Sequence, residues 1–201
     1  MHILHFRQRG ASSWQFLENP ENPVILSKNQ CRELSSTKVS EVKINGELLR
    51  SVKGFLDQEE GRRLYDIARE AGRLGPCLEI GSYCGKSTIY LGAACRESRA
   101  ALFSIDHHRG SEEQQPGEEY FDPELCDPQT GGVDTFREFR KTLEKAELED
   151  IVVPIVCRSE VAARSWATPL GLVFIDGGHS FEAALTDYNC WAGFILPKGY
   201  L

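Results

Sequence analysis

The sequence predicts an α/β fold built on a doubly wound parallel sheet. Over residues 57–201, short apolar runs alternate with longer amphipathic stretches. Strands and helices that alternate in this way form a parallel sheet with helices on both faces. Several of the apolar runs end in an acidic residue or in glycine. Ligands bind at the carboxyl edge of such sheets, so these positions are the first candidates for a site.

The first helix of the domain is predicted to begin after Asp57. Asp57 and Glu60 have the spacing of a capping box. Apolar residues then recur on one helical face, at Leu64, Ile67, Ala68 and Ala71. Gly75-Pro76 ends this helix, and the apolar run 77–80 that follows is predicted to be the first strand of the sheet.

The remaining elements follow from the same alternation. A second helix is predicted from about Ser87 and another after Asp134. Further strands are predicted at 101–105, 151–156 and 170–175, then a helix at 181–191, and a fifth strand is predicted to begin after Pro197-Lys198-Gly199. The polar segment 107–133, with three Pro and four Gly, is too long for a tight connection and is interpreted as a functional loop or lid.

Residues 1–55 are predicted to form an N-terminal extension, and residues 56–201 the main domain. Pro20 and Pro23 interrupt any regular element in the extension. Asn45-Gly46 follows an apolar stretch and has the composition of a hairpin turn, although its surroundings give that interpretation little support.

Composition restricts the function classes. The net charge of -7 argues against a nucleic-acid surface and against attraction to anionic lipids. No apolar run is long enough to span a bilayer, and residues 1–10 lack the apolar core of a signal peptide. The seven cysteines contain no C-x-x-C pair, which favours reduced thiols. We therefore expect a cytoplasmic enzyme without nucleic-acid or membrane partners; homo-oligomerisation stays open.

The most informative motif runs from Glu79 to Thr88, where a strand leads through a glycine turn into a helix. Gly81 and Gly85 enclose three residues, whereas a P-loop needs four, and no G-x-G-x-x-G spacing is present. The remaining pattern, an acidic residue before Gly-x-x-x-Gly, fits S-adenosylmethionine. A plain structural turn between strand and helix is the alternative interpretation.

Two further candidates close later strands. Asp106 ends the second strand, where a carboxylate can accept hydrogen bonds from ribose hydroxyls; a helix cap or loop acid is the alternative. Asp176 ends the fourth strand, and His179 lies three residues further on. An Asp can bind a divalent cation, and a His can take a proton from a hydroxyl group. A structural hydrogen bond at the start of the next helix is the alternative for His179.

These residues also resemble a known family. Residues 78–88 resemble motif I of catechol O-methyltransferase-like enzymes. The Asp-Gly-x-His segment, with Asp187 and Trp191 downstream, is similar to bacterial enzymes related to macrolide-sugar O-methyltransferases. The resemblance covers about residues 54–201. It implies a Rossmann-like class I methyltransferase that uses S-adenosylmethionine, with Mg²⁺ as a second cofactor.

The resemblance also implies roles for individual residues. The cofactor-binding candidates are Glu79, Gly81, Ser82, Tyr83, Gly85, Ser87, Asp106 and Ser159. Among them, Ser87 is expected to hold the methionine carboxylate, Asp106 the ribose and Ser159 the adenine. Asp176 is expected to be a magnesium ligand, and His179 the base that deprotonates the acceptor.

The family continues past the fifth strand with further metal ligands and two more strands. The resemblance therefore predicts that this chain is truncated in its fifth strand. The leading hypothesis is a methyltransferase acting on the hydroxyl of a small molecule or sugar, assisted by a divalent metal. A non-catalytic cofactor-binding module or inactive fragment is the alternative. A nicotinamide-dependent oxidoreductase is a third hypothesis, which the glycine spacing disfavours.

Overall fold

A computed structural model describes residues 5–8, 14–17, 44–178 and 180–201. Its centre is a five-stranded parallel sheet in the order β5-β4-β3-β6-β7. These strands are β3 (Cys77–Ile80), β4 (Leu102–Ile105), β5 (Val152–Ile155), β6 (Leu170–Ile175) and β7 (Ile195–Tyr200). A separate antiparallel pair consists of β1 (His5–Gln8) and β2 (Trp14–Leu17). The predicted doubly wound parallel sheet is confirmed.

Six α-helices are described. They are α1 (Gly46–Ser51), α2 (Gln58–Ala71), α3 (Lys86–Ser98), α4 (Phe136–Lys145), α5 (Ser159–Ala163) and α6 (Phe181–Trp191). Strand order reverses at β3: the chain moves outward through β4 and β5, then crosses back to place β6 on the other side of β3. This reversal opens a crevice at the carboxyl ends of β3 and β6, the usual ligand position in such sheets.

The core has two layers because successive strand residues point to opposite faces of the sheet. Cys77, Leu102 and Leu172 pack with α2, α3 and α4 on one face. Leu78, Ile105 and Val173 pack with Trp191 of α6 on the other. Both faces of the central strands are thus covered, as a parallel sheet requires.

Helix α2 begins as predicted. The Asp57 carboxylate accepts hydrogen bonds from the backbone N–H groups of Glu59 (2.7 Å) and Glu60 (2.9 Å), and the Glu60 carboxylate accepts from the N–H of Asp57. The capping box is therefore complete. The predicted apolar face is also confirmed, since Leu64, Ile67, Ala68 and Ala71 are all buried.

Two local predictions are wrong. Asn45-Gly46 is not a hairpin turn: the Asn45 side chain accepts the N–H groups of Glu47 and Leu48 and caps α1. Asn serves well in both positions, so its identity could not decide between them. Pro197-Lys198-Gly199 does not precede the last strand but lies within β7, whose pairing with β6 contains a register shift. Pro fits there because the strand is irregular at this point.

The segment 107–133 contains two 3₁₀ turns, at Glu112–Gln114 and Pro123–Leu125, and one antiparallel bridge between Cys126 and Val133. These turns and the bridge give the segment a defined conformation of its own. None of the helices in the described part of the chain is both long and apolar enough to cross a membrane.

Candidate functional site

The turn between β3 and α3 forms the centre of the crevice. Gly81 and Gly85 both adopt left-handed backbone conformations, with φ of +85° and +91°, which glycine tolerates best. A Cβ on Gly81 would lie 2.6 Å from the carbonyl carbon of Asp176, and one on Gly85 would lie 3.0 Å from Thr142. These glycines therefore let the ends of β3 and β6 touch and let α4 pack against the turn.

Asp106 organises this turn from the end of β4. Its carboxylate accepts the backbone N–H groups of Ser82 (2.9 Å), Tyr83 (2.8 Å) and His108 (2.7 Å). Three such bonds hold the turn and the start of segment 107–133 to one carboxylate. The role of Asp106 toward a ribose stays a prediction; its role in shaping the turn follows from these contacts.

Glu79 lies beneath the turn and has no exposed surface. Its carboxyl accepts hydrogen bonds from the hydroxyls of Ser87 (2.5 Å), Thr88 (2.7 Å) and Ser104 (2.8 Å). Burial raises the pKa of Glu79 to about 7, and these hydrogen bonds prevent a larger rise. Ser87, one of the predicted cofactor-binding residues, lies in the first turn of α3. Its hydroxyl donates a hydrogen bond to Glu79, which holds the side chain in place.

One polar atom in the turn lacks a partner. The Ser82 hydroxyl is buried and makes no hydrogen bond with any described residue. Just beyond it, Gly85 is the N-cap of α3 and offers no side-chain cap, and the first turn of α3 contains no acidic residue. Free N–H groups at a helix start attract anions, and a buried unpaired hydroxyl is costly until a ligand bonds to it. The residues present fit the carboxylate-bearing end of S-adenosylmethionine.

Asp176 follows β6 on the opposite side of the turn, and its N–H donates to the carbonyl of Ile80 (2.8 Å). The surrounding protein restricts hydration of its carboxyl and, together with the charges of Glu79 and Glu60, raises the pKa of Asp176. The side chain remains exposed at the crevice, so a ligand can reach it. The predicted base, His179, lies outside the described residues.

Ser159 begins α5 at the end of β5, where its hydroxyl donates to the carboxylate of Asp187. Both side chains are buried. The Asp187 carboxylate also faces Gly177, since a Cβ there would lie 3.4 Å from Oδ2. Asp187 is thus a packing residue beside the crevice, and contact of Ser159 with an adenine stays a prediction.

His108, within segment 107–133, is a buried residue that anchors this segment. Its Nδ1 lies 2.8 Å from the Thr135 hydroxyl, and its ring contacts Phe136 and Phe139 at 5.0 and 5.1 Å. Burial lowers the pKa of His108, which keeps the ring neutral. The residue fastens segment 107–133 to the start of α4. Nothing in the spacing of His107-His108 shows which of the two residues is buried.

The described residues contain no group of three or more His, Cys, Asp or Glu side chains placed to hold a metal ion. At the crevice, Asp176 offers a single exposed carboxylate. Mg²⁺ and Ca²⁺ each take six or more oxygen ligands, and for Mg²⁺ several of these come from water or substrate. The described side chains do not, by themselves, form the implied magnesium site.

The fold and the crevice define a Rossmann-like class I methyltransferase domain. The chain belongs to this family: the sequence pattern of a family described as a methyltransferase domain matches residues 78–201, more than half of the chain. This confirms the resemblance noted from residues 78–88, and with it the fold class.

Solved structures agree with this fold. One is the S-adenosylhomocysteine-bound methyltransferase PaMTH1 from Podospora anserina, with 15% identity, a TM-score of 0.53 and coverage of 86% of this chain and 68% of that protein. Another is the O-methyltransferase TomG from Streptomyces achromogenes, in complex with S-adenosylmethionine, with 17% identity, a TM-score of 0.54 and coverage of 83% and 66%. An O-methyltransferase from Bacillus cereus matches with 15% identity, a TM-score of 0.54 and coverage of 83% and 67%. The chain spans about two thirds of the length of each.

Proposed function

We propose that this chain binds S-adenosylmethionine at the turn after β3 and transfers its methyl group to a hydroxyl oxygen of a small molecule or sugar. The observation that supports this most directly is the unpartnered Ser82 hydroxyl beside the uncapped start of α3. Family membership over residues 78–201 supports methyl transfer. The choice of oxygen as acceptor rests on the similarity to TomG and to the Bacillus cereus O-methyltransferase.

The bound cofactor supplies an electrophilic methyl group, and the chain supplies position and proton transfer. Glu79 fixes Ser87 at the start of α3, and Asp106 fixes the backbone of Ser82 and Tyr83. His179, three residues after the crevice residue Asp176, takes the proton from the acceptor hydroxyl. Much of the rate enhancement comes from holding acceptor and cofactor at reacting distance.

Metal dependence is a separate part of the proposal. Asp176 offers one exposed carboxylate ligand, and we assign no step to a metal because the described residues do not supply the others. A calorimetric titration of the chain with Mg²⁺ in the presence of S-adenosylhomocysteine tests this part. Binding that Asp176→Asn abolishes supports a metal at this residue, and the absence of Mg²⁺ binding contradicts it.

Ser82→Ala separates ligand binding from folding. Removing a buried hydroxyl without a partner should leave the free energy of unfolding unchanged or raise it, while the affinity for S-adenosylhomocysteine falls about 5- to 20-fold. Ser104→Ala is the matched control: its hydroxyl bonds to Glu79 (2.8 Å), so its loss should cost stability. Equal affinity of Ser82→Ala and the parent chain would contradict the assignment.

His179→Ala separates catalysis from binding. We expect loss of methyl transfer with cofactor affinity within about twofold of the parent chain, because the base contacts the acceptor rather than the cofactor. Normal turnover would remove His179 from the mechanism. Cofactor binding by the parent chain without transfer to any acceptor would instead favour the second candidate, a non-catalytic cofactor-binding module.

A further inference from the structure

A groove of about 450 Å³ lies along helix α4. Pockets that hold small molecules usually have volumes of roughly 300–1,000 Å³. The side chains that line the groove come from α4 and from residues on either side of that helix, and none of them belongs to the candidate cofactor site. We call this feature the α4 groove. It is a separate cavity of the size that a small ligand needs.

Helix α4 is the most basic helix in the described part of the chain. Its residues include four basic and two acidic side chains, which give a formal charge of +2, whereas the whole chain carries -7. No other α-helix among the described residues exceeds +1. A local concentration of positive charge on an acidic protein directs an anion to that place.

Two arginines of this helix are free to bind an anion. Arg137 and Arg140 line the groove, are exposed and lie three residues apart, so they are neighbours on one helix face. Neither guanidinium group has an ion pair or a hydrogen bond with any residue that the structure describes. Guanidinium groups present planar pairs of N–H donors that match the oxygens of a phosphate. The two side chains can therefore bind one phosphate group through charge-assisted hydrogen bonds.

The acidic residues nearest to these arginines in sequence are engaged with other groups. The Glu138 carboxylate forms an ion pair with Lys141 (2.7 Å). The Asp134 carboxylate forms an ion pair with Arg109 (3.4 Å) and also accepts the backbone N–H of Phe136 (3.0 Å). The positive charge of the two arginines is therefore not neutralised by these carboxylates.

An aromatic ring lines the groove beside the arginines. Phe136 directly precedes Arg137, and its side chain is half-buried. Two neighbours hold the ring, which lies 5.0 Å from the ring of His108 and 6.5 Å from that of Phe139, nearly parallel to the latter at 18°. A fixed and partly accessible ring offers a stacking surface to a planar group. A ligand with a flat ring close to its phosphate can use both features.

Carboxylates further along the groove limit the charge that a ligand can carry. Glu144 lies seven residues after Arg137, which places it two helical turns or roughly 10 Å further along α4. Glu149 also lines the groove, and both glutamates are exposed. They repel a chain of phosphates, whereas a single phosphate at the arginines stays away from them. The groove therefore favours a small monophosphate over a nucleic-acid strand.

We propose that the α4 groove binds a nucleoside monophosphate, with its phosphate on Arg137 and Arg140 and its planar base against Phe136. Such a ligand matches the three features of the groove: it has one phosphate, a flat ring a short distance away, and no second charged group to meet the glutamates. The site is independent of the proposed methyl transfer, because the cofactor-binding candidates do not contribute to it.

The test is a calorimetric titration of the chain with uridine 5′-monophosphate at low ionic strength. Saturating S-adenosylhomocysteine is present to keep the nucleotide out of the cofactor site. We expect a Kd of about 0.1 mM, with uridine, which lacks the phosphate, at least about tenfold weaker. Ribose 5-phosphate, which lacks the ring, should bind about threefold more weakly than the nucleotide.

Variants locate the site, and urea unfolding checks that each is folded. The double substitution Arg137→Gln with Arg140→Gln should weaken nucleotide binding at least about tenfold. Phe136→Leu should make the nucleotide and ribose 5-phosphate bind equally. Arg73→Gln is the matched control, because it removes an exposed arginine that does not line the groove, and it should bind the nucleotide as tightly as the parent chain.

Three results would overturn the proposal: no binding of uridine 5′-monophosphate at about millimolar concentration, binding of uridine as tight as that of the nucleotide, or full nucleotide affinity in the double arginine variant. A preference for the nucleotide over ribose 5-phosphate that persists in Phe136→Leu would overturn the placement of the base. The variants decide these points whether or not S-adenosylhomocysteine binds, so they do not depend on the proposed function.

Discussion

At the scale of single residues, Glu79 links stability to the site. It is a carboxyl with no exposed surface, surrounded by three hydroxyl donors from β4 and α3. Burying an ionised group is costly even when hydrogen bonds compensate part of the loss, which is why its pKa is raised from 4.5 to about 7. The same contacts that position Ser87 therefore make the folded chain sensitive to pH.

The sign of this dependence follows from the raised pKa. Between pH 4.5 and about pH 7 Glu79 retains a proton in the folded chain that it releases in the unfolded chain, so its contribution to stability is fully present below this window and is lost as pH rises through it. The shift corresponds to about 2–4 kcal/mol. The free energy of unfolding is measured in urea at pH 5 and at pH 8. From pH 5 to pH 8 it should fall by about 2–4 kcal/mol less in Glu79→Gln than in the parent chain. Exposed Glu97→Gln is the control, and parallel profiles for Glu79→Gln and the parent would contradict the account.

Gly81 gives a second prediction at this scale. Any side chain at φ +85° costs about 1–2 kcal/mol, and a Cβ at this position would also press on the Asp176 backbone. Gly131 is the matched control, because it has φ +69° and nothing within 4 Å of an added Cβ. We expect Gly81→Ala to be less stable than Gly131→Ala by at least about 2 kcal/mol in urea unfolding. Similar losses in the two variants would show that β3 and β6 do not meet as described.

At the scale of elements, local rules predicted most boundaries. The limits of β6 (Leu170–Ile175) and α6 (Phe181–Trp191) agree with the sequence, because each is a continuous apolar or periodic run with a clear stop. The rules failed at Asn45-Gly46 and Pro197-Gly199, where the same residues suit a turn, a helix cap or an irregular edge. Asn45 forms a local helix cap in place of a turn, whereas pairing with β6, which sequence alone does not show, decided the position of Pro197-Gly199.

The packing of α2 on α3 gives a prediction of its own. A Cβ on Gly61 would lie 2.8 Å or less from atoms of the buried Tyr90 ring. Gly61→Ala should therefore destabilise the chain by about 1–3 kcal/mol, although alanine is the better helix former by about 1 kcal/mol. Gly46→Ala in α1, where an added Cβ meets only the Arg50 side chain at 3.6 Å, is the control and should be neutral or stabilising. Unfolding in urea measures both, and a gain in stability for Gly61→Ala would contradict this packing.

At the scale of the whole molecule, strand order explains what the sequence could and could not show. Alternating elements predicted the carboxyl edge of the sheet, and so Glu79, Asp106 and Asp176 as candidates. The contacts among them depend on β6 returning to the side of β3, which brings Gly81 against Asp176. The burial of His108 depends on how segment 107–133 folds back onto the start of α4, and no local pattern encodes that.

The central claim is that the turn after β3 binds the cofactor. The most direct test is calorimetric titration of the chain with S-adenosylhomocysteine, after urea unfolding has shown that the chain is cooperatively folded. We expect one site with a Kd on the order of micromolar, and a rise in unfolding free energy of about 2.7 kcal/mol at a ligand concentration of 100 Kd. A folded chain that takes up no S-adenosylhomocysteine at about millimolar concentration would contradict the claim.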